Sequence, residues 1–403
     1  MTKKNGIVKT KVKYITARFS ILQICYFFTM CPILSYVTLY LQIRGLSLPE
    51  IGTTVALCAL ITGTLQPILG NLSDSKPKIT PKRIIIVLSL MAVCGSVSLI
   101  YITEKIWILF FYSFTSICIQ TLQPFINALG LSYGKEVNFG VARGTGSISY
   151  SFAAQVLGIL LAQFDVVCIN IFTVICFVAV LLCLLMFKKP QNQENFYDKL
   201  KKQKKAVSTR KFLKTYFIFS IMMIANFFFN YANNGANTYL INIVNDLGGD
   251  SLALGSITAI STFLEFPAMV IYKPLSKKIP CEYILIFASF MFAVKMLFCT
   301  LATDIIYVYI GYLFQLVSFG LFFPAIVDYG NTKIPKQDSV KAQSLIISTA
   351  TIAYAVAAFT GGFVINLFGT KIAFFINALA AIICGLIMIY CVKLKKKEKN
   401  AKN

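Results

Sequence analysis

What constrains this chain most is a run of apolar residues, about twenty long, that recurs from one end to the other, each enough to cross the hydrocarbon core of a bilayer as a helix. The runs predict helices 1 to 6 over 18–42, 50–72, 83–103, 106–130, 140–163 and 166–187. Helices 7 to 12 follow over 213–242, 251–273, 282–302, 304–329, 341–367 and 371–392. With 57% hydrophobic and 13% charged residues, no soluble domain of this size could hide the apolar surplus in its own core. The fold class is therefore an all-α integral membrane protein.

A net charge of +23 on a globular surface would point to nucleic acid. Here the basic residues sit between the apolar runs, which makes them topology signals and leaves no nucleic-acid partner. If both termini are cytoplasmic, all but four of the 38 lysines and arginines fall in inner segments; the exceptions are Arg44, Lys105, Lys371 and Lys295. A wrongly placed span would have broken that bias. A multi-pass protein of the cell (plasma) membrane, with both ends cytoplasmic and the first apolar run retained, is the expectation.

Chemistry of the enzymatic kind has little to work with. The chain has no histidine, and its 12 cysteines include no Cys-x-x-Cys pair; most, such as Cys58, Cys94, Cys176 and Cys384, lie inside apolar runs, where cysteine acts as a small hydrophobe. No enzyme activity, cofactor or metal is expected.

The longest polar break, 188–214, carries ten basic residues and divides the chain into near-equal parts. The expected organisation is an N-terminal six-helix bundle over 1–187, a basic cytoplasmic linker over 188–214 touching anionic lipid headgroups, a C-terminal bundle over 215–392 and a basic tail over 393–403. Two such halves imply a pseudo-two-fold axis along the membrane normal. A trace of the repeat survives in Leu72-Ser73-Asp74 after helix 2 and Leu275-Ser276-Lys277 after helix 8.

Gly70-Asn71-Leu72-Ser73-Asp74, followed by Lys76, Lys78, Lys82 and Arg83, resembles the helix 2–3 motif of the major facilitator superfamily. Pro77 and Pro81 stand where that motif has a later glycine. The resemblance implies a conformational latch at Gly70, Asp74 and Arg83. Tyr26-Phe27-Phe28-Thr29-Met30, Gln66-Pro67, Pro124-x-x-Asn127-Ala128 and Phe139-Gly140-x-Ala142-Arg143 with Tyr150 resemble the lactose-permease-like group of sugar and nucleoside proton symporters. That group implies substrate contacts at Tyr26, Asn127, Arg143 and Tyr150. Its ligand-binding acid falls at Asn127, so Arg143 lacks an anionic partner and can meet an anionic or strongly polar solute. Its helix 10 histidine and glutamate fall at Gln315 and Ser318, of which Gln315 is retained as a substrate contact and neither titrates.

The residues themselves give a matching set. Arg143, Ser147 and Tyr150 share a helical face, Arg143 offering five fixed donors and Tyr150 an apolar ring face. The competing reading of Arg143 is a side chain snorkelling to the headgroups. Gln120, Gln123 and Asn127 share a face of helix 4. In helix 7, Asn226, Asn230, Asn233 and Asn237 recur at spacings of four, three and four, with Asn234 beside them; the stripe suits the wall of a wet cavity, or interhelical glue. Glu265 and Lys295 are the charges placed deep in the second half, roughly 8 Å apart in depth by helical rise. They make either a proton-coupling pair or a locked, self-neutralising one. Asp328, at the cytoplasmic end of helix 10, suits a latch.

Together these readings predict a secondary active transporter, taking up a polar small molecule such as a sugar or nucleoside with protons, by alternating access and as a monomer. An efflux antiporter for amphipathic compounds and a non-transporting sensor of the same fold are the alternatives, and uniport stays open.

Overall fold

The computed structural model describes residues 14–76, 79–133, 137, 139–187 and 209–400. These residues are helical, with no strand among them. Span 1 is Ile15–Leu34, continued after a break at Ser35–Tyr36 by Val37–Ile43. Spans 2 to 6 are Leu48–Ser75, Pro81–Tyr101, Lys105–Leu131, Phe139–Gln163 and Cys168–Leu185. Span 7 comprises Thr209–Thr215, Phe217–Thr238 and Leu240–Asp246, its first two pieces meeting at 104°. Spans 8 and 9 are Ser251–Leu275 and Cys281–Thr300. Span 10 is Ile305–Leu313, a 3-10 turn at Phe314–Leu316 and Phe319–Thr332; spans 11 and 12 are Ser339–Phe368 and Thr370–Asn400. Eleven of these stretches are long and apolar enough to cross a membrane, and the bent pair in span 7 makes twelve.

Local signals account for many of the ends. Span 2 opens on a capping box, with the Ser47 N–H donating to Glu50 Oε2 at 2.7 Å. Asp250 and Asp304 cap spans 8 and 10 by accepting backbone N–H groups. Two basic side chains cover the open carbonyls at the end of span 6: Arg18 donates to Met186 and Lys82 to Phe187. Span 12 continues through the first basic tail residues, because Lys395 pairs with Glu282 of span 9 at 2.6 Å. Large apolar side chains such as Ile61, Phe110, Ile175, Leu182 and Leu367 stay exposed around the outside, as contact with lipid tails allows.

The sequence predicts continuous helices for spans 1, 7 and 10, and the structure breaks all three. In span 1, Pro32 supplies no N–H and strains the turn just before the break. In span 7, Tyr239 leaves helical geometry, and the Thr238 carbonyl accepts the Thr38 hydroxyl from the other half instead. In span 10, the break sets Gln315 and Ser318 among spans 8 and 9.

With an even number of spans, the start of span 1 and the end of span 12 lie on one face, here called the terminal side; the other is the far side. The seams between halves run along spans 5 and 8 and along spans 2 and 11. On the far side they close to backbone contact. A Cβ placed on Gly158 would sit 2.9 Å from the Ser251 carbonyl, and one on Gly255 would sit 2.7 Å from the Ala154 carbonyl. The other seam repeats this, with Gly52 against Ala358 and Gly362 against Leu48. Each seam has a tyrosine from a helix break: Tyr36 donates to the Ala154 carbonyl at 2.6 Å, and Tyr239 to the Ala358 carbonyl at 2.5 Å. The two halves thus repeat one device, a tyrosine at the break in span 1 or 7 tied to span 5 or 11.

Candidate functional site

A cavity of about 370 Å³ lies between the halves, walled off from the far side by the glycine seams. Spans 1, 4 and 5 supply one wall, with Phe27, Ser35, Gln120, Gln123, Arg143, Ser147 and Tyr150. Spans 7, 8, 10 and 11 supply the other, including Asn233, Asn234, Asn237, Glu265, Gln315 and Tyr354. Carboxamides and hydroxyls dominate the polar lining, and the charged members are Arg143 and Glu265.

Arg143 is brought over the Phe27 ring, with its Cζ 4.5 Å from the ring centre. Phe27 meets Tyr150 edge to face at 6.4 Å, and the Tyr150 hydroxyl bonds Ser35 Oγ at 2.7 Å. The sequence points to Tyr26 and passes over Phe27 beside it. Adjacent helical residues point about 100° apart. Tyr26 therefore turns inward, fully buried, and donates to the Ile119 carbonyl, while Phe27 faces the cavity.

The opposite wall carries a buried relay. Lys295 Nζ donates to Gln315 Oε1 at 2.7 Å, and Gln315 Nε2 donates to Glu265 Oε1 at 3.1 Å. This fixes the amide, since only its oxygen can face an ammonium and only its NH₂ a carboxylate. Lys295 is fully buried, with Nζ 3.7 Å from the Tyr312 ring centre, and does not line the cavity. The gap in depth between Glu265 and Lys295 is spanned by Gln315 rather than by a direct ion pair.

The asparagine stripe divides. Asn233, Asn234 and Asn237 line the cavity. Asn226 is buried and donates to the Ile346 carbonyl of span 11, and Asn230 donates to the Asn226 carbonyl and side-chain oxygen. Single cysteines should report this division in a background without native cysteines. Positions 234 and 237 are expected to react with a charged thiol reagent roughly tenfold or more faster than position 226, since buried and accessible sites differ by a local opening free energy above about 1.4 kcal/mol. Equal rates would mean that the wet surface extends along the whole stripe.

The remaining candidates are placed as follows. Gln123 lines the cavity; Asn127 lies outside the lining and accepts from Gln23 Nε2 at 3.2 Å. Asp328 accepts the Tyr272 hydroxyl at 2.7 Å, tying span 10 to span 8. At the terminal end of span 2, a Cβ on Gly70 would meet nothing within 4 Å. The Asp74 side chain and the linker over 188–208 lie outside the described residues. The Arg83 backbone N–H donates to Thr80 Oγ1 at the start of span 3. Among the described residues, no group of His, Cys, Asp and Glu could hold a metal.

Twelve spans in two pseudo-symmetric halves, closed over a polar cavity on their shared seam, define a membrane transporter rather than an enzyme. Residues 18–401 match the model of the MFS_1 like family, and the chain belongs to that family. No curated relative matches by sequence. Among solved structures, the fold is similar to a mutant form of the nucleoside transporter NupG, with a TM-score of 0.77 at 11% identity over 94% of this chain and 99% of that one. It is also similar to a D-xylose-proton symporter (TM-score 0.72, 13% identity, 94% and 97% covered). An inward-open xylose transporter XylE from E. coli follows at 0.70, with 13% identity and 94% and 95% covered.

Proposed function

We propose that the chain is a proton-coupled uptake carrier for a polar organic solute such as a sugar or nucleoside, working by alternating access. The observation that carries this reading is Glu265: a carboxylate on the cavity wall, at the seam of the two halves, tied through Gln315 to Lys295. Its proton affinity depends on that tie, and rocking of the halves changes what faces it. Arg143, Gln123, Asn233 and Asn237 would hold the solute, with Tyr150 and Phe27 offering ring faces to its C–H side. The lining favours hydroxyl-rich solutes over amphipathic drugs, and the nucleoside and xylose carriers of similar fold agree with that class.

In this reading the protein sits in the plasma membrane as a monomer, and the terminal side, where the positive charge collects, is cytoplasmic. The halves over 1–187 and 215–392 rock about the 188–214 linker, with Gly70, Asp74 and Arg83 as a latch on that side. The test is uptake by the purified full chain in proteoliposomes, using labelled sugars, sugar acids and nucleosides with an inward proton gradient. Accumulation above the outside concentration, abolished by a protonophore, is expected. Uptake that only equilibrates, whatever the gradient, would make the protein a uniporter.

A further inference from the structure

The charges around the cavity do not balance, and we infer that the solute supplies the missing one: a carboxylate that pairs with Arg143. This rests on the transport reading above and narrows its substrate class. Lys295 and Glu265 are matched to each other through Gln315. Arg143 faces the same carboxylate across the cavity without a direct ion pair, so two cations share the one anion. Among the described residues no hydrogen-bond acceptor is within reach of its guanidinium, which lies over the Phe27 ring and lines the cavity. Asn127, the residue in helix 4 where an acid would have served, is uncharged and is taken by Gln23.

In the state described, water can solvate the guanidinium. When the halves close around a solute that water must leave, and a lone cation in a low-dielectric interior is then costly. A neutral sugar can accept hydrogen bonds from Arg143 but leaves its charge unpaired. A carboxylate does both, accepting two parallel N–H bonds from the planar fork.

The coupling step gives an independent argument. With Glu265 ionised, the empty site holds one positive charge in excess, since Arg143 and Lys295 have one carboxylate between them. Binding a carboxylate removes that excess, and a proton from solution moving onto Glu265 restores it. Loaded and empty carriers then cross with the same interior charge. A neutral solute with the same proton would leave two unpaired cations at the closed seam. The carboxylate therefore makes proton symport electroneutral, and the loaded crossing carries no more unpaired charge than the empty one. The rest of the cavity, with Gln120, Gln123, Asn234 and Asn237 beside two aromatic faces, suits a hydroxyl-rich body. A sugar acid of monosaccharide size, an aldonate or uronate, has that chemistry and fits about 370 Å³.

The test compares matched pairs on the purified full chain: D-glucuronate against D-glucose, D-galacturonate against D-galactose, and D-gluconate, with uridine as a neutral nucleoside. The acids are expected to bind roughly 30-fold or more tighter than their neutral partners, the range for a charge pair formed out of water. Arg143→Gln should erase that preference while leaving membrane yield and thermal stability unchanged. Arg143→Lys, which keeps the charge but loses the fork, should retain part of it. Proton-driven uptake of the acid should be indifferent to an imposed potassium diffusion potential. Equal or tighter binding of the neutral partners, no binding of any acid, or an acid preference that survives Arg143→Gln would overturn the inference. Proton-driven uptake of uridine or glucose, uninhibited by the acids, would overturn it while leaving the transport reading intact. Arg143-dependent binding of an acid that protons never drive across would support the carboxylate site and sink the coupling reading instead.

Discussion

The double variant Gly158→Trp/Gly362→Trp is expected to hold the far side open and to lower transport by roughly 100-fold while sparing binding. Both glycines lie where two helices touch backbone to backbone, one on each seam. A Cβ on Gly158 already meets the Ser251 carbonyl at 2.9 Å and Gly255 Cα at 3.1 Å. At Gly362 the obstacles are the Leu48 carbonyl and, at 2.9 Å, the Tyr239 hydroxyl. Backbone in a packed helix cannot yield as a side chain tip can, so an indole must part the halves. Overpacking of this kind costs about 1–3 kcal/mol per site, which for two seams closing together shifts the closed state by roughly 100-fold. Neither glycine is among the residues that line the cavity. A cysteine at position 38, buried and bonded to Thr238 in the native seam, is the reporter. In the double variant it should react with a membrane-impermeant thiol reagent from the far side, and in the parent background it should not. Unchanged labelling with normal transport would mean that the glycine seams do not gate the cavity.

What could be read in the sequence follows from the kind of physics each feature needs. Spans are local and thermodynamic: a long apolar run has to become a helix in lipid, and no distant residue alters that. Their ends are also local, as at Ser47-x-x-Glu50 and Asp250. The breaks are less so. Pro32 advertises the one in span 1, but span 7 breaks at Tyr239 with no proline, and with Gly235 only a full turn earlier. That break is compensated by Thr38 and Ala358, residues of spans 1 and 11, so its stability is a tertiary property.

The site was legible to a similar degree. Arg143, Tyr150, Glu265 and Gln123 lie together on the cavity because a polar residue inside an apolar run has few other places to go. Periodicity alone does not say how far a polar stripe stays wet. Eleven residues of helix cover about 16 Å, longer than the stretch of wall available, so Asn226 and Asn230 end against span 11 and one another while Asn233 and Asn237 meet the cavity. Gln315 is the instructive case. In the sequence it reads as a residue that cannot titrate, and its bridging role depends on the break in span 10 placing it between spans 8 and 9.

That bridge decides what to expect of Glu265→Gln. A glutamine at 265 can still accept from Gln315 Nε2 through its own oxygen, so the geometry of the relay survives; what disappears is a titrating group on the cavity wall. The variant mimics a carrier whose proton never leaves. Under the proton-coupled reading it should exchange labelled for unlabelled solute across the membrane at close to the parent rate, and lose accumulation against a gradient altogether. It also removes the carboxylate to which the relay connects the buried Lys295, which is destabilising for a cation held out of water. Low thermal stability is therefore expected and could be mistaken for the loss of coupling. The double variant Glu265→Gln/Lys295→Met separates the two, because the thioether fills the apolar pocket beside Tyr312 and Phe292 without a charge. It should recover most of the lost stability and still fail to accumulate solute. If either variant concentrates its substrate under a proton gradient alone, Glu265 is not the proton site. The relay to Lys295 would then be a structural bridge between spans 8, 9 and 10.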